Sequence, residues 1–297
     1  MRVFVTGATG WIGSATVDEL LATGHQVTGL ARSDESAAAL ERKGASALRG
    51  DLDDLDALKR GATGSDAVVY LANKHDFGPE SDRAERAAVE AILGELVGTA
   101  KPFALANGLS GLVRGRAVVE TDASPEVGPH ADRGGSENLA LDHVERGVRS
   151  MIVRFAPSVH GVGDWGFVKF VADAARRRGV SGYLGDGSTQ WSAVHRSDAA
   201  RLIRLGLERA PAGVRLHAVA EESVSTREIA EAVGRALGLP VSSIATAEAD
   251  EHFGFIGGFY GLDMYASSAR TRELLDWTPT GPTLIEDILS GAYGVAE

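Results

Sequence analysis

The sequence predicts a doubly wound parallel α/β sheet followed by a smaller C-terminal lobe. Three observations support this prediction: apolar runs alternate with helical stretches through the first half of the 297 residues, the apolar runs are short and continuous, and the alternation loosens after residue 156. Strands and helices in strict alternation form βαβ units, and continuously apolar strands are typical of a parallel sheet that helices cover on both faces.

Six strands are predicted in the first half, with helices between them. The strands are the apolar runs at 2–6, 26–31, 45–49, 67–72, 102–106 and 150–156. The helices are the stretches near 11–23, 34–43, 53–61, 80–100 and 133–148. Gly24 follows the first helix, at a position where glycine commonly ends a helix. A further amphipathic helix is expected within 226–240.

The second half is divided between the sheet and the second lobe. We expect residues 1–156 to form the first domain and the segment 192–219, with a strand near 214–219, to return to it. The smaller lobe then comprises 157–191 and 220–297.

Composition excludes several classes of partner and site. The chain has 30 basic and 41 acidic residues, a net charge of -11, whereas nucleic acids and anionic membranes bind clustered Lys and Arg. It has no cysteine, which excludes disulfides and a thiolate nucleophile and fits a reducing cytoplasm. The opening MRVFVTGATGWIG does not resemble a signal peptide, and no apolar run approaches the roughly 18 residues of a membrane span. We therefore expect a cytoplasmic protein with a small-molecule substrate, and the sequence leaves a homodimer open.

A glycine motif predicts a dinucleotide site at the start of the chain. The stretch TGATGWIG has the pattern T-G-x-x-G-x-x-G between the first strand and the first helix. Glycines there permit a tight turn and bring backbone N–H groups to a pyrophosphate, while the helix N-terminus favours the anion. This is the arrangement of a Rossmann domain. The cofactor contacts expected in this turn are Gly7, Thr9, Gly10, Trp11, Ile12 and Gly13.

The end of the second strand favours NADP(H) over NAD(H). A carboxylate at this point accepts the ribose 2′-OH of NAD, whereas an Arg accommodates a 2′-phosphate. The chain has Ala31 at the position of the acid, followed by Arg32 and Ser33. The alternative is that Arg32 is a solvated surface residue that pairs with Asp34 or Glu35.

The third strand is followed by Asp51 and Leu52, which are placed to meet the adenine end of the cofactor. Asp51 could equally be only the N-cap of the next helix.

The chain resembles an extended or atypical short-chain dehydrogenase/reductase of the epimerase/dehydratase type over nearly its whole length. The motifs that support the resemblance are TGATGWIG, GDLDD, VVYLAN, IVRFAPSVHGVGD, GDGSTQWSAVHRSDAARL and SSARTRELLDWTPT. The resemblance implies NAD(P) on the Rossmann domain and substrate in the cleft towards the C-terminal lobe. It also implies that Leu71, Ala72 and Asn73 line the cofactor and that Pro157 and Ser158 approach the nicotinamide.

The chain departs from this family at the catalytic pair. The family uses a Tyr whose pKa is lowered by a Lys four residues later on the same helix face. In this sequence Arg133 occupies the Tyr position and Glu137 the Lys position, so the usual pair is absent. The only Tyr-x-x-x-Lys is Tyr70 to Lys74, at the end of a strand where four residues span roughly 13 Å. We interpret Tyr70 as a core residue.

Residues that could replace the missing Tyr and Lys are expected at the carboxyl ends of the strands, where ligands bind in such sheets. Lys74, His75 and Asp76 follow the fourth strand; His75 could transfer a proton and Asp76 could orient it, or the segment could be a solvated loop. Asn107 or Ser110, after the fifth strand, could donate a hydrogen bond or only form the loop.

Further candidates lie on the long helix and in the second lobe. Arg133 could bind a carboxylate or polarise a carbonyl, but it stays protonated and cannot be a general acid. His160 is a second cleft candidate, and His195 is expected to support a helix start with Ser197 as its cap. A set of aromatic residues could form an apolar pocket wall or belong to the core: Trp165, Phe167, Phe253, Phe255, Phe259 and Tyr260.

These observations predict an NADP-dependent oxidoreductase that transfers hydride between nicotinamide and a small carbonyl, imine or activated C=C substrate. The alternatives are a non-catalytic NADP-binding redox sensor, which the missing Tyr and Lys favour, and a sugar-nucleotide epimerase or dehydratase. Because the tuned Tyr is absent, we expect activated acceptors to be reduced better than simple ketones.

Overall fold

The computed structural model describes residues 1–74, 78–128, 131 and 135–294. This part of the chain contains twelve strands and twelve α-helices. The strands are β1 (Arg2–Thr6), β2 (Gln26–Ala31), β3 (Ser46–Arg49), β4 (Ala67–Tyr70), β5 (Pro102–Gly108), β6 (Arg149–Phe155), β7 (Ser158–His160), β8 (Ser181–Leu184), β9 (Gln190–His195), β10 (Val214–Ala218), β11 (Glu221–Ser225) and β12 (Val241–Ile244). The helices are α1 (Trp11–Ala22), α2 (Asp34–Arg42), α3 (Leu55–Thr63), α4 (Pro79–Leu96), α5 (Gly135–Asp142), α6 (Phe167–Arg178), α7 (Arg196–Arg209), α8 (Thr226–Leu237), α9 (Ala249–Phe253), α10 (Gly257–Tyr260), α11 (Ala269–Leu275) and α12 (Leu284–Leu289).

Seven parallel strands form the main sheet, in the order β3-β2-β1-β4-β5-β6-β10. The chain moves outwards from β1 to β3, then returns to the other side of β1 for β4, β5 and β6. This is the doubly wound Rossmann arrangement that the sequence predicts. The strand expected near 214–219 is β10, at the edge beside β6. Ligands bind in such sheets where the strand order reverses, which here is at the carboxyl ends of β1 and β4.

Helices cover both faces of the main sheet. Side chains alternate between the two faces along each strand. Val3 and Val5 of β1 are accordingly buried in the core that includes α1 and α7, whereas Phe4 is buried in the core that includes α3 and α4. Continuous burial of β1 beyond its first residue explains why its sequence is apolar without alternation.

The second lobe has its own small sheets and its own core. Strands β7, β9 and β11 form a three-stranded sheet, and β8 pairs with β12 in parallel. The core of this lobe surrounds Trp191, which is fully buried. Ser225 begins α8 with a capping box to Glu228, and Gly238 ends it in the left-handed conformation.

Helix α5 is shorter than the helix predicted near 133–148. It ends at Asp142, and turns occupy 143–147 before β6 begins. The backbone N–H of Val148 donates to the carbonyl of His143, and Gly147 has φ +79°. A residue in the left-handed conformation cannot continue an α-helix. The pattern that predicted a helix to residue 148 therefore extends past the end of α5.

Helix α6 has no counterpart among the predicted elements. It begins after Gly166, and its buried positions Val168, Val171, Ala172 and Ala175 follow the helical spacing. The neighbouring glycines make the surrounding sequence look like a loop, which hides this pattern. No helix in the described ranges is long and apolar enough to cross a membrane.

Candidate functional site

The first glycine turn joins the ends of β1 and β4. Gly7 has φ +65°, in the left-handed region that favours glycine, and a Cβ there would lie 2.9 Å from the backbone nitrogen of Ala72. The hydroxyl of Thr6 accepts hydrogen bonds from the N–H groups of Leu71 (3.2 Å) and Ala72 (3.3 Å). The turn therefore fixes Leu71 and Ala72 beside the glycine motif.

The other two glycines of the motif, Gly10 and Gly13, lie at the N-terminus of α1. Gly10 is the exposed N-cap residue, and within the described residues no side chain caps this helix. A Cβ on Gly13 would lie 2.0 Å from the carbonyl oxygen of Gly7, so only glycine permits this approach. Thr9 is exposed at the same turn, and Ile12 is half-buried. The first N–H groups of α1 and the positive end of its dipole are available to an anion, so the turn fits a dinucleotide pyrophosphate.

Trp11 connects the glycine turn to the second lobe. Its indole N–H donates to the carbonyl of Val159 in β7 at 2.6 Å, and the guanidinium of Arg196 lies 4.4 Å from the ring centroid. A Cβ on Gly161 would also contact this ring. The Trp11 backbone belongs to the cofactor turn, whereas its ring packs against the other lobe.

The end of β2 carries no carboxylate, and its arginine is exposed. Ala31 is buried and Arg32 faces solvent. Asp34 pairs with Arg49 of β3 at 3.2 Å. Among the described residues neither Asp34 nor Glu35 forms an ion pair with Arg32, so the pairing expected in the alternative is not seen, whereas the exposure of Arg32 agrees with a solvated surface residue.

Two of the predicted cofactor residues also shape helix starts. The Ser33 hydroxyl caps α2 by accepting from the N–H of Ser36 at 3.1 Å. Asp54 caps α3, whereas the Asp51 carboxylate accepts from the N–H of Asp54 at 3.0 Å and forms the preceding turn. The alternative that Asp51 is the N-cap is therefore wrong. Leu52 is half-buried against the core under α3.

The end of β4 has no coupled Tyr and Lys. Tyr70 is buried, and burial raises the pKa of its phenol well above the ordinary value. Lys74 donates to both carboxylate oxygens of Asp53 at 2.9 Å. The interpretation of Tyr70 as a core residue is confirmed. The Asn73 amide donates to Glu85 at 3.2 Å.

The segment expected near the nicotinamide is largely buried. Pro157 is half-buried, and the Ser158 hydroxyl is buried without a hydrogen-bond partner in the described part of the chain. His160 is fully buried, with its Nδ1 2.6 Å from a carboxylate oxygen of Asp287 in α12. Burial lowers the pKa of His160 despite this carboxylate. The expectation of His160 as a cleft candidate does not agree with this full burial.

Glu137 is fully buried and surrounded by hydrogen-bond donors. It is 0% exposed, and its carboxylate accepts from Arg154 at 2.5 and 3.0 Å, from Arg215 at 2.7 Å and from Asn107 at 2.8 Å. Burial alone would raise the pKa of Glu137, but these donors hold it below the ordinary value. Asn107, Arg154 and His217 are in register on β5, β6 and β10, so Glu137 covers a polar row at the carboxyl end of the sheet.

Three predicted catalytic residues, His75, Asp76 and Arg133, lie outside the described residues. Ser110 is exposed after β5, and its hydroxyl lies 3.1 Å from the sulfur of Met264 in the second lobe.

His195 is itself the cap of α7. Its Nδ1 accepts from the N–H of Ser197 at 3.3 Å and lies 2.7 Å from the Ser197 hydroxyl. The prediction that Ser197 provides the cap is therefore wrong, because the imidazole takes that role.

The predicted aromatic wall divides into core and surface residues. Phe253 and Tyr260 are buried, Phe167 and Phe259 are half-buried, and Trp165 and Phe255 are exposed.

Two buried charged residues, Arg154 and Asp287, are not among the residues predicted from the sequence. Arg154 had a signal, since it is a lone charge inside the apolar run SMIVRFA, and a buried charge needs a partner. Asp287 lies on a short terminal helix whose packing the sequence does not indicate.

Comparisons with known proteins agree with this geometry. A family model described as NAD(P)H-binding matches residues 7–97, which include the glycine turn. An uncharacterised protein of Schizosaccharomyces pombe is 42% identical over 295 residues, 99% of this chain and 100% of the relative. A 4-hydroxy-2-methyl-3-oxo-4-farnesyl-3,4-dihydroquinoline-1-oxide ketoreductase of Stigmatella aurantiaca is 27% identical over 230 residues, 72% of this chain and 66% of that protein. The structure of Thermus thermophilus UDP-glucose 4-epimerase in complex with NAD is similar in fold, with a TM-score of 0.75 and 21% identity over 100% of both chains.

Proposed function

This chain belongs to the same family as the uncharacterised Schizosaccharomyces pombe protein, and we propose that it is an epimerase/dehydratase-like short-chain dehydrogenase/reductase, an NADP(H)-dependent oxidoreductase acting on a small organic molecule. The reaction is hydride transfer between the nicotinamide and a carbonyl, an imine or an activated C=C bond. We place it in a reducing cytoplasm, which the absence of cysteine fits.

The observation that carries the proposal is the pairing of an open glycine turn with a cationic end of β2. The turn leaves the N-terminus of α1 free for a pyrophosphate, and Arg32 is exposed where a 2′-phosphate would lie. Ala31 provides no carboxylate to accept a ribose 2′-OH. These features favour NADP(H) over NAD(H).

The chain's own residues then bind and orient the two ligands. A bound nicotinamide supplies or accepts the hydride. Leu71 and Ala72, fixed by Thr6, support the cofactor at the end of β4, and Ser110 stands at the end of β5 within reach of the second lobe. His75 and Asp76 are the proposed proton-transfer pair, with Arg133 as a group that binds or polarises the substrate oxygen.

One observation favours the rival function of a non-catalytic NADP-binding sensor. The resemblance places Glu137 where the family has its Lys. The carboxylate of Glu137 forms ion pairs with Arg154 and Arg215, so it is not available for proton transfer. The second lobe favours the enzyme, since it retains exposed aromatic residues that a sensor need not keep. A sugar-nucleotide epimerase or dehydratase would need the same missing acid/base pair.

Cofactor titration tests the proposal, with NADPH and NADH measured by calorimetry. We expect tighter binding of NADPH, and a loss of about tenfold or more for NADPH in Arg32→Ala with little change for NADH, because a charge-assisted contact contributes about 1.5–3 kcal/mol. Arg42→Ala is the matched control, since Arg42 is an exposed arginine in the last turn of α2, away from the end of β2. Equal affinities for both cofactors, or an equal loss in both variants, would contradict the NADP preference.

A second experiment distinguishes an enzyme from a non-catalytic sensor. It measures NADPH oxidation with a panel of carbonyls, imines and quinones.

A further inference from the structure

A second arginine lies beside the position that distinguishes NAD from NADP. Strands β2 and β3 are parallel, and Ala31 at the end of β2 is paired in register with Arg49 at the end of β3. The N–H of Gly50 extends this pairing by donating to the carbonyl of Ala31 at 3.2 Å. Neighbouring strands are about 4.8 Å apart. The backbone of Arg49 is therefore adjacent to the residue at which a carboxylate would accept the ribose 2′-OH of NAD.

The side chains of Ala31 and Arg49 lie on the same face of the sheet. Side chains alternate along a strand, and Ala47, two residues before Arg49, packs against the core that contains Ala31. Leu30 and Leu48 belong to the core on the opposite face. Arg49 is exposed at the carboxyl end of β3. A phosphate bound next to Ala31 would therefore be within reach of its guanidinium.

The guanidinium of Arg49 already holds an anion at this point. Its Nη1 lies 3.2 Å from one carboxylate oxygen of Asp34, the first residue of α2. The Arg49 side chain is half-exposed and that of Asp34 is fully exposed, and an ion pair in such a setting contributes little to stability. A phosphate carries more charge than a carboxylate near pH 7, and a guanidinium binds two of its oxygens at once. A phosphate can therefore replace Asp34 on Arg49.

The neighbouring polar groups at the end of β2 leave this role to the two arginines. The Ser33 hydroxyl accepts from the N–H of Ser36 at 3.1 Å and lies 3.0 Å from the Ser36 hydroxyl, so it is engaged in capping α2. Arg32 is exposed, and within the described ranges no carboxylate pairs with it. Arg32 and Arg49 are thus the two cations that flank the side chain of Ala31.

We propose that Arg49 binds the 2′-phosphate of NADP(H) together with Arg32, and that the phosphate displaces Asp34 from Arg49. Asp34 then weakens the preference for NADP(H), because it competes with the 2′-phosphate for the same guanidinium. This inference rests on the proposed function, because it adds Arg49 and Asp34 to the same cofactor site.

The test measures binding of adenosine 2′,5′-bisphosphate and adenosine 5′-monophosphate to the whole chain by calorimetry. The two nucleotides differ only in the 2′-phosphate, and neither has a nicotinamide, so the result does not depend on hydride transfer. We expect Arg49→Ala to weaken binding of the bisphosphate by about tenfold or more and to leave binding of the monophosphate within about twofold. Arg2→Ala is the matched control, since Arg2 forms an exposed ion pair with Asp66 at the amino end of β1 and should affect neither nucleotide.

Asp34→Asn tests the displacement. Removing the competing carboxylate should tighten binding of the bisphosphate by about two- to fivefold, and this gain should disappear in the double variant that also carries Arg49→Ala. Asp66→Asn removes the carboxylate of the control pair and makes the same change in net charge. A gain of the same size with and without Arg49 would show that Asp34 only repels the phosphate, and it would overturn the proposed displacement.

The outcomes separate this inference from the proposed function. If Arg32→Ala loses the preference for the bisphosphate but Arg49→Ala behaves like Arg2→Ala, the inference fails while the dependence on NADP(H) stands. If Arg49→Ala weakens binding of the bisphosphate but NADPH reduces no carbonyl, imine or quinone, the proposed oxidoreductase fails while the inference stands. Equal binding of both nucleotides by the wild type would overturn the inference, and turnover with NADH would then show separately whether hydride transfer takes place.

Discussion

The carboxylate of Glu137 is a buried charge that three side chains share. Arg154 binds it through two nitrogens, while Arg215 and Asn107 complete its hydrogen bonds. Removing one partner of a buried ion pair lowers the free energy of unfolding by more than the intact pair contributes to it, because the remaining charge stays desolvated. Glu137 therefore holds the sheet and α5 together in this chain.

Glu137→Ala is expected to lower the free energy of unfolding by about 3–5 kcal/mol, because Arg154 would be left buried without its counter-ion. Urea denaturation followed by circular dichroism measures this change. Glu90→Ala removes the exposed partner of Arg86 on α4 and should cost less than about 1 kcal/mol. A similar small cost in both variants would show that Glu137 is not a central structural charge.

The pH dependence of this pair has a definite sign. The pKa of Glu137 is below its ordinary value in the folded protein, so its contribution is present above the unfolded pKa near 4.3 and is lost as the pH falls through the folded value. The difference in unfolding free energy between wild type and Glu137→Ala should therefore shrink as the pH is lowered from about 5.

At this scale the sequence identifies a residue more easily than the direction of its side chain. The resemblance predicts Glu137 as the counterpart of a catalytic Lys, but the sequence of α5 does not indicate which side of the helix meets the sheet. Arg154, in an apolar strand, is the residue that could have indicated a buried carboxylate nearby.

Among the elements, the strands of the main sheet were predictable and the second lobe was not. Strands β1, β2 and β6 agree with the predicted runs to within one residue, because continuous burial makes them apolar and turn residues bound them. Helix α6 and the short helices after residue 245 depend on tertiary contacts such as those around Trp191. Local pattern alone does not contain that information.

The C-terminal helix α12 is attached to β7 through buried ionisable groups. Three groups surround the imidazole of His160: the Asp287 carboxylate at 2.6 Å, a Glu221 oxygen at 3.8 Å and the ring of His195 at 5.6 Å. Burial lowers the pKa of His160 and raises the pKa of Glu221. A histidine with a lowered folded pKa stabilises the protein fully above the unfolded pKa near 6.5, and this stability is lost as the pH falls below it. Glu221 has the opposite sign, because its stability contribution is lost as the pH rises through its raised folded value.

His160→Asn should reduce the loss of thermal stability between pH 7 and pH 5.5, because the Asn amide can donate to Asp287 but does not titrate. One buried neutral histidine contributes at most about 1.4 kcal/mol per pH unit to the slope. The measurement is Tm by scanning calorimetry at several pH values in this range. His217, also buried with a lowered pKa, should leave part of the slope in the variant. An unchanged slope in His160→Asn would show that the attachment of α12 does not depend on this proton.

At the scale of the whole molecule, two lobes meet at the glycine turn, and the positions of the tyrosines bear on how a substrate could be protonated there. All five tyrosines lie in the described part of the chain. Burial raises the pKa of Tyr70, Tyr260 and Tyr293, which belong to cores, and Tyr183 and Tyr265 have no Lys four residues later. None of the four tyrosines other than Tyr70 therefore has the spacing to a Lys that the resemblance predicts for a catalytic pair.

This absence leads to a ranking of substrates. A simple ketone becomes an alkoxide as hydride arrives and needs a nearby acid or oxyanion donor, and losing one such donor costs on the order of 10² to 10³ in rate. A quinone delocalises the charge that it gains, and an iminium becomes a neutral amine, so neither depends as strongly on a tuned phenol. We expect kcat/KM to be higher for a quinone and a cyclic imine than for an unactivated ketone of similar size, measured by NADPH oxidation from pH 6 to 9. His75→Ala should lower ketone turnover by roughly 10²-fold or more while NADPH affinity stays within a few-fold, if His75 is the proton donor. A ketone that is the best of the three substrates would contradict the ranking and would point to an acid elsewhere at the carboxyl edge of the sheet.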